Sequence, residues 1–264
     1  MASAAGVVPS ALVVIPARLA STRLPEKMLL AETGKPLVQH TYETACTARL
    51  PAGVVVATDH PRILEAVAGF GGRAVLTSPQ ASSGTDRVAE IAQHQDDYAV
   101  FVNLQGDEPE LPGEVIDQVI RLLVEHPQAA MATLAVPIRS RELLLDPSCV
   151  KVVCDHQGRA LYFSRSPIPY PRTWNETLLH RQPPVFLQHL GLYAYRRDFL
   201  LRWPRLPPCD LEQIESLEQL RALAAGVTIQ VGVTAHASKG IDTLEDYRAF
   251  VARQQAKAQR LCGG

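Results

Sequence analysis

The sequence has no C-x-x-C pair, no excess of charge and no apolar run of bilayer length, and each absence removes a class of function. The five cysteines, Cys46, Cys149, Cys154, Cys209 and Cys262, are odd in number and scattered. Neither a disulfide framework nor a zinc site is expected from them, and a reducing compartment is. The 26 basic residues nearly cancel the 27 acidic ones, which leaves no global field for nucleic acid or an acidic membrane. Any polyanion has to be held by a local cluster. No stretch approaches the ~18 apolar residues of a membrane span. The apolar opening "MASAAGVVPSALVVIPAR" lacks a positive leading segment and is broken by Pro9 and Pro16, which argues against a signal peptide. Repeats and low-complexity tracts are also missing. The expectation is a cytoplasmic protein with no nucleic-acid partner and no membrane partner. Its 264 residues suffice for one large α/β domain or two small ones.

What is present is an alternation of short β-rich runs with segments of helical period. Strands are expected at 11–15, 53–58, 73–77 and 98–104, and helices at 35–48, 61–70, 84–94 and 112–126. In the last of these helices Val115, Ile116, Val119, Ile120 and Leu123 fall on one face. Strands buried on both sides, each followed by a helix, imply a parallel sheet between helical layers. The middle differs, with longer strands at 129–138, 149–155, 160–165 and 186–195, the second and third joined through "HQGR". Proline-rich loops span 167–184 and 204–208, one helix is expected over 210–226, and a strand at 228–235 and a helix at 243–258 close the chain. The expected organisation is a nucleotide-binding half over 12–128, a second half over 129–227, and a return to the first half over 228–258.

Ligands of open parallel sheets sit beyond the carboxyl ends of the strands. After the first strand comes "PARLASTRLPEK", with Arg18, Arg23 and Lys27 in ten residues. A loop that long inside a compact domain is usually functional, and those cations with backbone amides suit a triphosphate. After the strand at 98–104 comes "QGDEP", where Asp107 leaves a buried strand and Gly106 allows close backbone approach. Turn chemistry also accounts for that fragment; Mg²⁺ with a phosphate is the other reading. Asp242 in "SKGIDTLED" precedes a helix, either as an N-cap completed by Glu245 or as a ligand. "SSGTDR" (82–87) offers hydroxyls and amides at a helix start, Arg165 ends a strand, and His189 and Tyr193 share one strand face.

Taken in order, "VVIPARLASTRLPEK", "GKPLVQHTYE", "VVVATDH", "SSGTDRVAE", "NLQGDEP", "MATLAVPI", "LYFSRSPIP", "HLGLYAY", "LEQIESLEQLRAL" and "GIDTLEDY" resemble the 3-deoxy-manno-octulosonate cytidylyltransferase family from residue 12 to about 250. The resemblance implies a Rossmann-like nucleotide-diphospho-sugar transferase fold, α/β with a mixed, mostly parallel central sheet flanked by helices and a smaller dimerisation and sugar-binding subdomain. It implies CTP and 3-deoxy-D-manno-octulosonate as substrates, Mg²⁺ as cofactor and a homodimer. By matching positions, it implies that Arg18 and Lys27, with Arg23 beside them, hold the triphosphate and that Asp107 and Asp242 ligate Mg²⁺. Ala17, Ser83, Gly84, Thr85 and Arg87 are then expected near the cytidine. Gln105, Arg165, His189, Tyr193, Gln213 and Glu215 are expected around the sugar acid. The sequence departs from the family at Glu26, often Gly, and at Ala81, often His. A cytidylyltransferase for a nine-carbon acidic sugar and a non-catalytic nucleotide sensor are the rival readings; retention of Lys27 and both aspartates opposes the sensor.

Overall fold

The computed structural model describes residues 9–237 and 240–262. Residues 1–8, on which the signal-peptide expectation partly bears, residues 238–239 and 263–264, and the side chains of Leu261 and Cys262 lie outside the described residues. The other four cysteines are free thiols.

The first half builds as its periodicity dictates. Strands β1 (Ala11–Ala17), β2 (Gly53–Thr58), β3 (Ala74–Leu76) and β4 (Val100–Asn103) alternate with helices α1 (Leu37–Ala45), α2 (Pro61–Gly69), α3 (Gly84–Gln93) and α4 (Gly113–Glu125). Side chains of β1 alternate between two cores, Val13 and Ile15 entering one and Leu12 and Val14 the other, because successive Cβ atoms of a strand point to opposite faces. All five apolar residues singled out on α4 are fully buried, each contributing about 1.5–3 kcal/mol of transfer free energy. Capping fixes the helix starts: His60 accepts from Arg62 N–H, with Pro61 at the first position of α2, and Ser83 accepts from Asp86 N–H at the start of α3.

The second half adds β5 (Met131–Pro137), α5 (Arg141–Leu145), β6 (Lys151–Cys154), β7 (Ala160–Ser164), β8 (Leu187–Arg196), α6 (Arg197–Leu200), α7 (Asp210–Glu215), α8 (Gln219–Ala224), β9 (Ile229–Val233) and α9 (Leu244–Cys262). The sheet order is β3-β2-β1-β4-β8-β5-β9, with the β6–β7 hairpin branching from β8. β8 runs antiparallel to both β4 and β5, while β9 is parallel to β5. Along the main path every strand but β8 therefore runs one way. The order 3-2-1-4 reverses between β1 and β4, and there the carboxyl ends open a crevice.

Three local outcomes differ from the periodicity, one of them α6, a single turn where no helix is expected. The helix expected over 210–226 is two helices, broken at Ser216, whose φ of 52° is left-handed. Leu211, Ile214, Leu217 and Leu220 read as one stripe, but Leu211 and Ile214 face outward while Leu217 and Leu220 are buried. The break turns the second pair into the core, and Glu215 at the break is gripped by Ser164 Oγ at 2.6 Å and Arg165 N–H at 2.9 Å. The third difference is α5, one turn in a segment without helical period, whose start Ser140 caps by accepting from Leu143 N–H.

Candidate active site

The carboxyl ends of β1 and β4 deliver the basic loop and Asp107 to one place. The loop leaves β1 and is pinned at Leu19, whose N–H donates to Asp59 Oδ1 at 3.1 Å. It closes into a 3-10 turn at Lys27–Leu29, entered through Glu26 at φ 51°. A left-handed backbone favours glycine, which explains why glycine is frequent there in the resembled family. Here the Glu26 carboxylate binds the Arg62 guanidinium of α2, and that contact holds its pKa below the usual value. Gly106 is required by space: a Cβ would lie 2.8 Å from Met28 Sδ and 3.0 Å from Pro16 O.

Lys27 is buried, and its ammonium is met by three oxygens from distant segments. It donates to Asp107 Oδ2 at 2.6 Å, to Ile241 O at 2.7 Å and to Asp242 Oδ1 at 3.4 Å. Arg23 approaches Asp242 Oδ1 from the solvent side at 2.9 Å. Asp242 does not cap α9. Thr243 and Asp246 do so instead: Asp246 N–H donates to Thr243 Oγ1 at 3.1 Å, and Thr243 N–H to Asp246 Oδ2 at 3.0 Å. The Asp242 side chain is thereby left to the cations.

Two clefts meet at these groups. A smaller one of about 390 Å³ is lined by Arg18, Arg23 and Lys27 among others. A larger one of about 800 Å³ reaches His189 and the 146–149 segment. Arg23, Gln105, Asp107 and Asp242 belong to both walls.

His189 lines the larger cleft in a defined state. Its Nε2 is 3.0 Å from Thr133 Oγ1, and that hydroxyl lies 2.8 Å from Leu192 O and 3.1 Å from Leu190 O. A hydroxyl carries one proton, and giving it to either carbonyl leaves Nε2–H to donate to Oγ1 and Nδ1 as an acceptor. Desolvation pushes the imidazole pKa down to about 3, and the ring is neutral at pH 7. A register shift against Thr133 and Leu134 folds β8 locally, so the rings of His189 and Tyr193 come to 5.2 Å. A regular strand separates residues i and i+4 by ~13 Å.

The remaining expected residues are not brought to the cleft walls. Ala17 belongs to the core. Ser83 caps α3, and Gly84 packs behind Pro16 and Gln105, which line the smaller cleft. Thr85 Oγ1 donates to Glu218 Oε2 at 2.5 Å beneath the floor. Arg87 is turned inward, spent on Thr77 Oγ1, Ser78 O and Asp59 Oδ2 at 2.8, 3.1 and 2.8 Å, where it anchors the carboxylate that holds Leu19. Arg165 sits one layer behind the larger cleft, donating to Glu215 O at 2.7 Å and Pro147 O at 3.1 Å. Glu215 is engaged with it, and Gln213 is exposed.

Two of the buried polar groups have unspent capacity. Tyr193 Oη and Glu218 Oε1 are buried without a hydrogen-bond partner among the described residues, and burial raises the pKa of both. Glu218 escaped the sequence reading because a continuous helix over 210–226 gives no reason to single out a residue just past a break.

The chain matches the model of the cytidylyltransferase family over residues 12–229. It is 51% identical over 247 residues to the 3-deoxy-manno-octulosonate cytidylyltransferase of Rhodopirellula baltica, covering 93% of this chain and 99% of that one. It is 50% identical over 237 residues to the enzyme of that name from Geobacter sulfurreducens, covering 88% and 94%. Among solved structures, a CMP:2-keto-3-deoxy-manno-octonic acid synthetase complexed with CTP superposes with a TM-score of 0.84 at 43% identity, covering 93% of this chain and 99% of that one. A cytidylyltransferase from Leptospira borgpetersenii, 15% identical with a TM-score of 0.59 over 92% of this chain and 85% of its own, shares the fold. With the family model spanning most of the chain and relatives at half identity across nearly all of it, the chain belongs to the 3-deoxy-manno-octulosonate cytidylyltransferase family.

Proposed function

We propose that the protein transfers the cytidylyl group of CTP to the anomeric hydroxyl of 3-deoxy-D-manno-octulosonate and releases pyrophosphate, with Mg²⁺ at Asp107 and Asp242. The observation that carries this reading is the meeting of Lys27, Asp107 and Asp242 where the two clefts join. A reaction between a nucleotide and a second substrate needs its charged groups at that junction.

The residues fit the metal. Two carboxylates lie within 3.4 Å of one ammonium nitrogen, and hard oxygen donors suit Mg²⁺. Among the described residues no cluster of three or more acidic, His or Cys side chains could hold a metal alone. That agrees with Mg²⁺ bound by one or two carboxylates plus substrate phosphates. When bound, the ion polarises the phosphate and neutralises its charge.

The chain's own residues do the rest by position and charge. The sugar hydroxyl forms its bond to the α-phosphorus as the bond to the β-phosphate oxygen breaks, and the hydroxyl proton passes to solvent. Arg18 and Arg23 line the smaller cleft for the triphosphate. Lys27 and Arg23 together balance the two carboxylates before nucleotide arrives, and the flexible stem of Lys27 then carries its ammonium to an α-phosphate oxygen, where charge builds. His189 Nδ1 accepts from a sugar hydroxyl, and Gln105, on the wall common to both clefts, orients the attacking group. Arg165 braces the wall of the sugar cleft through Pro147 O.

Five of the eight large apolar side chains exposed among the described residues, Leu145, Leu161, Tyr170, Leu211 and Ile214, come from the second half, in keeping with a homodimer formed there; light scattering at micromolar concentration tests this. No described helix is long and apolar enough to cross a membrane, and the proposed compartment is the cytoplasm. Pyrophosphate release measured with CTP, Mg²⁺ and either the eight-carbon or a nine-carbon sugar acid tests the function. Release dependent on the eight-carbon acid is expected. Preference for the nine-carbon acid, or no release with either, overturns it.

A further inference from the structure

Lys27 and Asp242 are also tied together by residues that line neither cleft. Tyr247 lies in the first turn of α9 with its ring buried against Phe250, centroids 6.4 Å apart. Its hydroxyl accepts from Glu32 N–H at 3.1 Å and donates to the Glu32 carboxylate. Glu32 follows Lys27 by five residues, and Tyr247 follows Asp242 by five. Each short span is braced internally. On the loop side, Leu29 N–H donates to Glu26 O at 2.8 Å, Gly34 N–H to Ala31 O at 2.8 Å and Leu37 N–H to Leu30 O at 2.9 Å. On the helix side, Thr243 and Asp246 lock the cap, and Tyr247 N–H donates to Thr243 O at 3.1 Å. The phenol and carboxylate therefore join two stiff arms.

Tyr247 and Phe250 share one apolar core with Met28, Leu29 and Leu30 of the loop arm, whereas the contacts of the loop cations with the helix arm are made by groups a triphosphate competes for. Lys27 bonds Ile241 O and Asp242, and Arg23 pairs with Asp242. Once phosphate oxygens draw those cations away, the hydrogen bonds at Tyr247 add a directional tie to that non-directional packing and fix the spacing of the two arms. We propose that Tyr247 and Glu32 are positioning residues for the transfer, holding the Lys27 loop and the Asp242 helix in register while the cations are engaged with nucleotide. The proposal rests on the reading that Lys27 and Asp242 serve one triphosphate.

Tyr247→Phe keeps the buried ring and removes only the hydroxyl. In the free full-length protein, hydrogen exchange by mass spectrometry is expected to rise several-fold in both the 27–36 and the 242–250 segments. In turnover, kcat is expected to fall about tenfold, in the range that a sub-ångström to 1 Å misplacement produces, with KM for the sugar acid unchanged. Glu32→Ala should reproduce both effects. Glu32→Gln, whose amide oxygen accepts the same phenolic hydrogen bond, should retain most of the turnover. Wild-type kcat in Tyr247→Phe, or exchange that rises in one segment alone or in neither, overturns the proposal. Should the wild-type chain release no pyrophosphate from CTP, the function reading fails, while the exchange measurement still decides whether this pair couples the two segments.

Discussion

The parallel half and the inserted half hold their polar residues in opposite ways. In the parallel half, the loops after β1 and β4 leave the sheet at a topological switch, and their charged side chains turn toward open clefts. In the inserted half, Arg165, Glu215 and Lys151 turn inward to partners of their own half. Arg165 and Glu215 close a ring with Ser164, while fully buried Lys151 donates to three carbonyls, Asp146 O, Cys149 O and Arg165 O, at 2.9, 2.6 and 2.5 Å. The lesson is a division of labour. A switch point supplies exposed strand ends without further design, whereas a wall made of hairpin, short helix and loop has to be braced before it can shape a cleft.

That contrast can be broken at three points of decreasing effect. Asp107→Asn keeps the shape of the switch-point site and removes one charge. It should lower kcat by about 10²–10³, as expected for loss of one preorganised electrostatic group, when assayed at saturating Mg²⁺. Glu215→Gln tests the bracing. It should cost about 1–3 kcal/mol in urea unfolding, the price of weakening a charged hydrogen-bonding group, and leave KM for CTP unmoved. A change in KM for CTP would mean that the two halves are not separable in this way. Glu26→Gly is expected to do least. It relieves a left-handed glutamate and removes an exposed pair with Arg62, and these effects oppose each other. Its melting temperature should stay within about 3 °C of wild type, with kcat changed by less than about twofold.

The same contrast explains what could be seen beforehand. Every strand and helix of the parallel half is visible because burial on two faces leaves unbroken apolar runs and one-sided helices, as on α4. The charges of the basic loop and Asp107 are visible as candidates because they stand at the ends of buried strands, although turn chemistry alone also accounts for the Asp107 fragment. Asp242 was legible as a candidate but not as free of capping duty; that depended on Thr243 and Asp246 taking the cap between themselves. In the inserted half, the break at Ser216 was hidden by a leucine and isoleucine stripe of helical spacing. Arg165, Gln213 and Glu215 are expected around the sugar by likeness of motif, but Gln213 is exposed and Arg165 and Glu215 bind each other across 50 residues of sequence, which periodicity does not report. Tyr247 and Glu32, 215 residues apart, left no trace in any local pattern.

Lys27 and Asp242 are 215 residues apart as well, and whether they act as one unit is open to a direct measurement. In a double-mutant cycle on kcat/KM with Lys27→Ala and Asp242→Asn, groups that serve one centre are strongly non-additive. The double variant should then be barely slower than the worse single variant. Losses that add in free energy, each substitution exacting its full cost in the presence of the other, would mean that the loop and the last helix act at separate places.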